Sequence, residues 1–185
     1  MKPIIPFAAL ACALAAPPAA AQDAPRATSV SLGIGGGTSV GLWRDLSPRV
    51  RAGVEAGTDV SRLEGDDGGE DYTSFFVEPT LKIFSGADGD LRPYTLVGVY
   101  GQQYGQRYEN VDPDAESEWR RRELGARVGL GLEWAPISRV AIGGHVGASA
   151  GYLESVNEST LSDDSKADGW AVRTFSSGLV AHLFF

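Results

Sequence analysis

The chain has 185 residues, with 24 acidic and 16 basic side chains and a formal net charge of −8 at pH 7. Such an acidic chain lacks the basic patch that nucleic-acid binding needs, so we expect no nucleic-acid partner. Past the N-terminal segment, no apolar run reaches the roughly 18 residues that predict a membrane-spanning helix. The length predicts one domain.

The N-terminal segment has the pattern of a secretory leader. Lys2 supplies a positive charge, Ile4–Ala16 is apolar and uncharged, and Ala19–Ala21 provides small residues for cleavage. The apolar run is too short to span a bilayer. We therefore expect residues 1–21 to be a signal peptide and residues 22–185 to form the mature domain.

Cys12 is the only cysteine, and it falls within this leader. A lipoprotein would use it as the lipidated residue, but the preceding Ala9–Ala11 has no Leu at the third position upstream. Simple cleavage after Ala21 is favoured, so the mature chain is expected to contain no disulfide.

Past the leader, apolar residues recur at every second position in eight segments. The clearest segment places Leu124, Val128 and Leu132 on one face and Gly, Glu and Arg residues on the other. This period is that of a strand between two different environments, although Pro79 predicts an edge or a bulge in the fourth segment. The predicted strands are about Thr28–Gly35, Thr38–Asp45, Arg49–Arg62, Tyr72–Phe84, Arg92–Asn110, Trp119–Trp134, Arg139–Glu154 and Trp170–Phe185.

The connections between these segments alternate in length. Gly35–Gly37 predicts a tight first turn, and the second, fourth and sixth connections are also short. The others are long and polar: Glu64–Glu70, Val111–Glu118 and Ser155–Gly169. Short turns at one end and long loops at the other are typical of outer-membrane barrels. The sequence therefore predicts an all-β, eight-stranded antiparallel up-and-down transmembrane β-barrel with its long loops outside the cell.

The last segment alternates between two faces. Leu179, Leu183 and Phe185 share an apolar face, with Phe175 further back, and Thr174 belongs to the other face. A soluble chain rarely ends on an apolar edge strand, which invites aggregation. A strand that closes a barrel in lipid leaves no such edge.

With its leader, strand periodicity, loop alternation and terminal Phe185, the chain resembles the small OmpA/OmpX-like outer-membrane β-barrel family over its whole mature length. Members are structural, adhesive, host-interacting or weakly pore-forming. The resemblance implies an outer-membrane location, contact with lipid and lipopolysaccharide, and an assembly signal at Phe185 and Leu183 for the barrel assembly machinery. It also implies a possible extracellular ligand that the sequence does not identify.

Aromatic residues cluster near the predicted strand ends. In a membrane barrel such rings form girdles at the two interfaces, whereas in a soluble sandwich they reflect ordinary β-propensity. The membrane interpretation is favoured because the leader and the C-terminal strand agree with it. The predicted girdle residues are Trp43, Tyr94, Trp119, Trp134, Tyr152 and Trp170, with Tyr72 and Tyr108 nearby.

Charged residues of both signs fall on the predicted inward faces, although the sequence leaves the phase of strands two and five open. An eight-stranded barrel is only wide enough for its own side chains, which favours a paired structural plug. The alternative is a small gated channel. The predicted lumen residues are Arg51, Glu55, Asp59, Glu78, Lys82, Arg107, Glu123, Arg127, Glu133 and His145, with Gln103 and His182 on the same faces.

Catalysis is not predicted. Acyl hydrolysis needs a nucleophile beside a base, and Ser149 lies about 13 Å along the strand from His145. A lipid A-modifying enzyme is therefore the third alternative. The acidic run Gly65–Asp71 could bind Ca²⁺ but lacks the spacing of an EF-hand loop. We expect no metal site, no cofactor and no enzyme activity.

Overall fold

A computed structural model describes residues 28–34, 38–65, 68–86, 89–110, 117–159 and 162–185. These residues form eight strands that pair antiparallel in chain order, and β8 closes the barrel on β1. The predicted eight-stranded antiparallel barrel is confirmed. The strands are β1 Thr28–Ile34, β2 Thr38–Ser47, β3 Val50–Gly65, β4 Gly68–Phe84, β5 Leu91–Asn110, β6 Ser117–Ile137, β7 Val140–Ser159 and β8 Ser162–Phe184.

The barrel is apolar outside and polar inside. On β6, Leu130 faces outward with 66% of its surface exposed, whereas Glu133 faces inward with 2% exposed. The strand alternation places every second side chain on each face, so this arrangement continues around the wall. It is the reverse of a soluble barrel and typical of one whose outer face contacts lipid. Within the part of the chain that the structure describes, no helix is long and apolar enough to cross a membrane.

Large aromatic rings inside the barrel lie over glycines of the neighbouring strand. Tyr94 stands opposite Gly131, and Tyr100 stands opposite Gly125. A Cβ added to either glycine would overlap the facing ring. The missing side chain therefore makes room for the ring inside a narrow lumen. The same relation joins Trp43 to Gly53 and Phe76 to Gly57.

The edge or bulge predicted at Pro79 is wrong: β4 runs from Gly68 to Phe84 between two partner strands, and only its pairing with β5 lapses locally, at Glu78 and Pro79. Pro79 stands opposite Val54 of β3, and the pairing with β5 keeps one register on both sides of it. A proline lacks only the N–H donor. The continuous pairing with β3 retains the strand where the pairing with β5 skips Glu78 and Pro79.

Two of the predicted long loops are instead mostly strand. β3 and β4 stay paired up to Gly65 and Gly68, and β7 and β8 up to Ser159 and Ser162. Both faces of the sheet meet water at the ends of these hairpins. The strands can consist of polar residues there, because the backbone hydrogen bonds between them form without an apolar face. Within the predicted loop Val111–Glu118, residues 117 and 118 belong to β6, and residues 111–116 lie outside the described residues. The predicted signal peptide and the turn Gly35–Gly37 also lie outside them.

Candidate functional site

A buried ionic cluster fills the lumen at the end where the short turns lie. Arg51 Nη1 donates to both carboxylate oxygens of Glu133 across the barrel, at 2.9 and 2.8 Å. Its Nε donates to Asp45 at 2.6 Å. Lys82 Nζ lies 3.6 Å from Glu133 and 2.8 Å from His182 Nε2. These charges are paired across the lumen, as buried charges must be.

Aromatic rings complete this cluster. Lys82 Nζ lies 4.7 Å from the ring centroid of Trp43 and 4.8 Å from that of Tyr94. Arg51 lies 4.8 Å from the ring of Phe184, and such cation–π contacts are favourable when desolvated. We call the set Trp43, Arg51, Lys82, Tyr94, Glu133, His182 and Phe184 the plug. Its strands lie all around the barrel, so its side chains cross the lumen.

Trp43 also connects the plug to the centre of the barrel. Its Nε1 donates to Ser31 Oγ at 2.8 Å, and Ser31 Oγ donates to Glu55 at 3.3 Å. Glu78 stands opposite Glu55 on β4 and pairs with Arg127 Nη1 at 2.8 Å. The polar interior is thus one chain of contacts from the short-turn end to mid-barrel.

A second ionic group lies nearer the other end. Arg173 donates to both oxygens of Glu123, at 2.5 and 2.6 Å, which is a bidentate geometry. Tyr100 Oη donates to Glu123 at 2.6 Å, and Arg121 lies 3.1 Å from it. Glu123 therefore holds together β5, β6 and β8 on the lumen side.

Arg173 is a lumen residue that the sequence pattern missed. Gly147 pairs with Ser176 but Ala148 pairs with Thr174, so β8 contains a bulge at residue 175. A bulge shifts alternation by one residue. Thr174, predicted to face inward, is exposed, and Arg173 turns inward instead. The sequence does indicate this bulge. The apolar residues at positions 170 and 172 have even numbers, whereas those at positions 179, 181 and 183 have odd numbers, so the alternation must shift by one residue between the two sets.

A cavity of about 410 Å³ lies in the lumen between the two ionic groups. Glu78, Arg127, His145, Ser149 and Arg173 supply its polar lining. Nε of Arg127 and Nδ1 of His145 are buried with no hydrogen-bond partner. The cavity therefore offers polar atoms to a ligand, and its size is within the usual range of small-molecule sites.

The structure places the predicted lumen residues unevenly. Arg51, Glu78, Lys82, Glu123 and Glu133 are buried inside the barrel. The other members that face the lumen are Glu55, Arg127 and His145, which line its cavity.

The remaining two predicted lumen residues are not in the buried network. Asp59 is exposed, on β3 beyond the last residue that β2 pairs. Arg107 is wrong as a lumen residue because β5 has the opposite phase: Tyr94 and Tyr100 are buried, and Val97 is exposed. Gln103, on the same face as Arg107, is likewise exposed. Sequence alternation fixes which residues share a face but not which face points inward.

No family model and no curated protein matches the chain. Among solved structures, a major outer membrane protein of Thermus thermophilus matches with a TM-score of 0.59 at 14% identity, covering 88% of this chain and 100% of that one. This is the fold of an outer-membrane β-barrel. Acinetobacter baumannii CarO2 is also similar, with a TM-score of 0.48 at 8% identity over 88% of this chain and 100% of its own. The predicted resemblance to small outer-membrane barrels is confirmed at the level of the fold.

Only part of the predicted aromatic girdles faces outward in this outer-membrane fold. Trp134, Tyr152 and Trp170 are exposed on the outer wall, and Tyr152 packs edge-on against Trp170 at 5.8 Å. Trp43 and Tyr94 are wrong as girdle residues because both are buried in the plug. Their indole and phenol groups find polar partners inside, which an outward phase would not provide.

The other predicted positions lie at the two ends of the barrel. Trp119 is half-buried near the free end of β6, where its Nε1 donates to Ser155 Oγ at 2.8 Å. Leu183 and Phe185, the predicted assembly residues, are exposed on the outer face. The backbone N–H of Phe185 donates to Thr28 O at 3.0 Å.

Among the described residues, no group of three or more His, Cys, Asp or Glu side chains could hold a metal ion. Ser29 Oγ lies 3.4 Å from His182 Nδ1, a nucleophile–base combination that the sequence analysis did not identify. Both residues are buried, and the other ring nitrogen of His182 lies 2.8 Å from Lys82 Nζ and 3.7 Å from Glu133 Oε2. His182 is a member of the plug, and the closer contact of its Nε2 is the ammonium of Lys82, whereas in a hydrolytic triad the carboxylate orients the imidazole.

Beyond the lumen, the rim of β6 carries an exposed ion pair. Arg120 Nε and Nη2 donate to the two carboxylate oxygens of Glu118, both at 2.6 Å. These hydrogen bonds from Arg120 lower the pKa of Glu118 below its usual value. Because the pair is exposed, it contributes little to stability.

Proposed function

We propose that the protein is an outer-membrane barrel with a structural or surface-interaction role, whose lumen is closed by the plug. One observation carries this proposal: Arg51, Lys82, Glu133 and His182 are buried and in mutual contact across the barrel. Open porins of 16 or more strands have water-filled channels, whereas eight strands enclose side chains and at most one small ligand. The plug therefore acts as a seal.

The apolar outer wall supports the membrane part of this proposal. Lipid and lipopolysaccharide would cover this wall, and the barrel assembly machinery would insert it. The termini and short turns would face the periplasm. The paired ends of β3–β4 and β7–β8 would project outside the cell, as the long hairpins of such barrels do.

These projecting hairpins would carry the surface interaction. Residues 64–71 include five acidic side chains and no basic one. Such an acidic rim would attract a cationic partner and repel anionic surfaces. Neither a cofactor nor catalysis is part of this proposal.

A small gated channel is a second candidate, favoured by the chemistry of the plug. Its members are held by ion pairs and cation–π contacts rather than by aliphatic packing. Ion pairs can exchange partners without exposing apolar surface. Above the plug, the cavity already occupies part of a route through the barrel.

Planar-bilayer recording of the purified barrel distinguishes these candidates. The unsubstituted protein should give no sustained conductance steps. Sustained conductance that changes in Arg127→Gln, but not in the exposed control Arg120→Gln, would establish the channel instead. Expression in a host with a known lipid A mass spectrum should leave that spectrum unchanged, and a new lipid A mass would contradict the non-enzymatic part of the proposal.

A further inference from the structure

Among the described residues, the barrel wall shows a gap above the paired part of its first hairpin. β1 ends at Ile34, which pairs with Leu179 of β8, and β2 begins at Thr38, which pairs with Thr58 of β3. Beyond these positions β8 pairs only with β7, and β3 pairs only with β4. No strand pairing joins β3 to β8 among the described residues. We call this gap, with Ile34 and Leu179 at its floor, the notch.

The notch begins within the apolar part of the wall. Its floor residue Leu179 lies only four positions along β8 from Leu183. At about 3.3 Å per residue and a tilt of about 40°, the floor lies about 10 Å above Leu183, whereas the apolar band of such barrels is about 25 Å tall. Val172 and Trp170, higher on β8, are still 74% and 77% exposed. The notch therefore faces the hydrocarbon region when the barrel is in a membrane.

The cavity in the lumen reaches the outer surface at this notch. Ile34 and Leu179 are exposed on the outer wall, yet both also line the cavity. Outside, an apolar groove of about 670 Å³ runs over Leu130, Leu132 and Val146 to the same two residues. His145 and Gly178 also line both spaces. An apolar space outside thus joins a polar space inside.

Gly178 keeps the junction between the two spaces open. A Cβ at this position would lie 3.0 Å from Cε1 and 3.2 Å from Nε2 of His145. A larger side chain would therefore displace the His145 ring or fill the junction. The junction stays open only with glycine at position 178, because the ring of His145 occupies the space that a side chain there would enter.

The charges inside match a head group that carries both signs. Arg127 and His145 line the cavity: Arg127 pairs with Glu78 through Nη1 at 2.8 Å but has no partner at Nε, and His145 has none at Nδ1. Glu55, on the same cavity, accepts one 3.3 Å hydrogen bond from Ser31. Buried polar atoms without partners destabilise a structure, and a bound ligand would supply the missing hydrogen bonds. A phosphate that shares Arg127 with Glu78 and an ammonium beside Glu55 match both signs.

We propose that the notch binds a phospholipid-type amphiphile, with its acyl chain in the outer groove and its zwitterionic head group in the lumen cavity. The ligand enters sideways from the membrane and not through the plug. This site is separate from the projecting hairpins of the proposed function. Its failure would leave the sealed, surface-interacting barrel as proposed.

Native mass spectrometry in a non-ionic alkyl glycoside tests the site with lysophosphatidylethanolamine as the probe. The protein should bind one molecule at least tenfold more tightly than it binds lysophosphatidylglycerol, which lacks the ammonium group. Equal binding of the two lipids would refute the zwitterionic head group. Binding that is neither saturable nor stoichiometric would refute the site.

Two variants locate the bound lipid. Gly178→Leu should weaken binding at least tenfold, whereas Gly169→Leu, on the same strand with no atom within 4 Å of an added Cβ, should stay within twofold. Arg127→Gln should weaken binding similarly, and Arg120→Gln should not. Unchanged binding in Gly178→Leu or in Arg127→Gln, each verified as folded by its gel mobility, would overturn the proposal.

Photo-crosslinking keeps the test independent of those variants. A photoreactive side chain at Ser177, which lines both the groove and the cavity, should crosslink the probe lipid saturably. The same group at Ala126, exposed on the outer face of β6 and in neither space, should crosslink it only in proportion to concentration. Equal, unsaturable crosslinking at the two positions would show ordinary lipid contact and no site.

Discussion

The sharpest prediction concerns Glu133, the anion that neutralises the plug. Arg51 Nη1 contacts both of its carboxylate oxygens, and Lys82 Nζ lies 3.6 Å from one of them. Glu133→Gln keeps the side-chain volume but removes the charge. Arg51 then retains only Asp45, and Lys82 retains the ring of His182 without a carboxylate. Two cations remain buried with too little negative charge.

The expected cost is about 3–5 kcal/mol, the usual loss when one partner of a buried ion pair is removed. Coulomb's law at an effective dielectric of about 20 gives a similar size, about 4 kcal/mol for unit charges about 4 Å apart. Urea unfolding of the barrel in lipid, followed by gel mobility of the unheated sample, measures the loss. Glu118→Gln is the control, because its exposed pair with Arg120 should contribute less than about 1 kcal/mol.

A compensating variant checks the physical reason. Lys82→Met combined with Glu133→Gln removes one charge of each sign, so this pair should cost less than Glu133→Gln alone. If Glu133→Gln loses no more stability than Glu118→Gln, the plug does not depend on charge pairing. If the double variant is less stable than the single one by the full cost of Lys82→Met, the two residues are not coupled.

Two further predictions concern packing and orientation. Gly131→Ala should lower the free energy of unfolding by about 1–3 kcal/mol in the same urea assay, because the added Cβ overlaps the ring of Tyr94. Gly105→Ala is the control: its added Cβ has nothing within 4 Å, so the free energy of unfolding should change by less than about 0.5 kcal/mol. Equal effects of the two substitutions would contradict the packing argument. A cysteine at exposed Ala167 should react with a membrane-impermeant maleimide on intact cells, whereas one at Ser138 should react only after permeabilisation. The reverse labelling would invert the proposed orientation, and the unsubstituted chain is the control.

The sequence predicts the strands of this barrel because alternation is a local property. Leu124, Val128 and Leu132 share a face whatever the rest of the chain does. Strand ends were predicted less well, since the hairpins beyond the apolar band have no apolar face to mark them. The strands of those hairpins depend on pairing with a partner, which no single segment reveals.

The candidate site was predicted in part for the same reason. Arg51, Lys82 and Glu133 lie on strands whose polar faces point inward, and the structure brings them together. The phase of β5 was not predictable, because Tyr94 is as compatible with a membrane interface as with a lumen. Arg173 was missed because one extra residue in β8 reverses the alternation, and a period-two pattern assumes that none is present.

The bulge at residue 175 has a consequence for how the barrel tolerates changes in chain length. One residue added to or removed from a strand exchanges the lipid-facing and lumen-facing side chains of everything beyond it. Without the extra residue, Arg173 would point into hydrocarbon and Val172 into the polar interior. Which side chains of this wall face lipid and which face the lumen therefore depends on the number of residues in each strand. A substitution changes the contacts of one side chain. A single insertion within a strand exchanges the lipid-facing and lumen-facing side chains of the whole part of the strand beyond it.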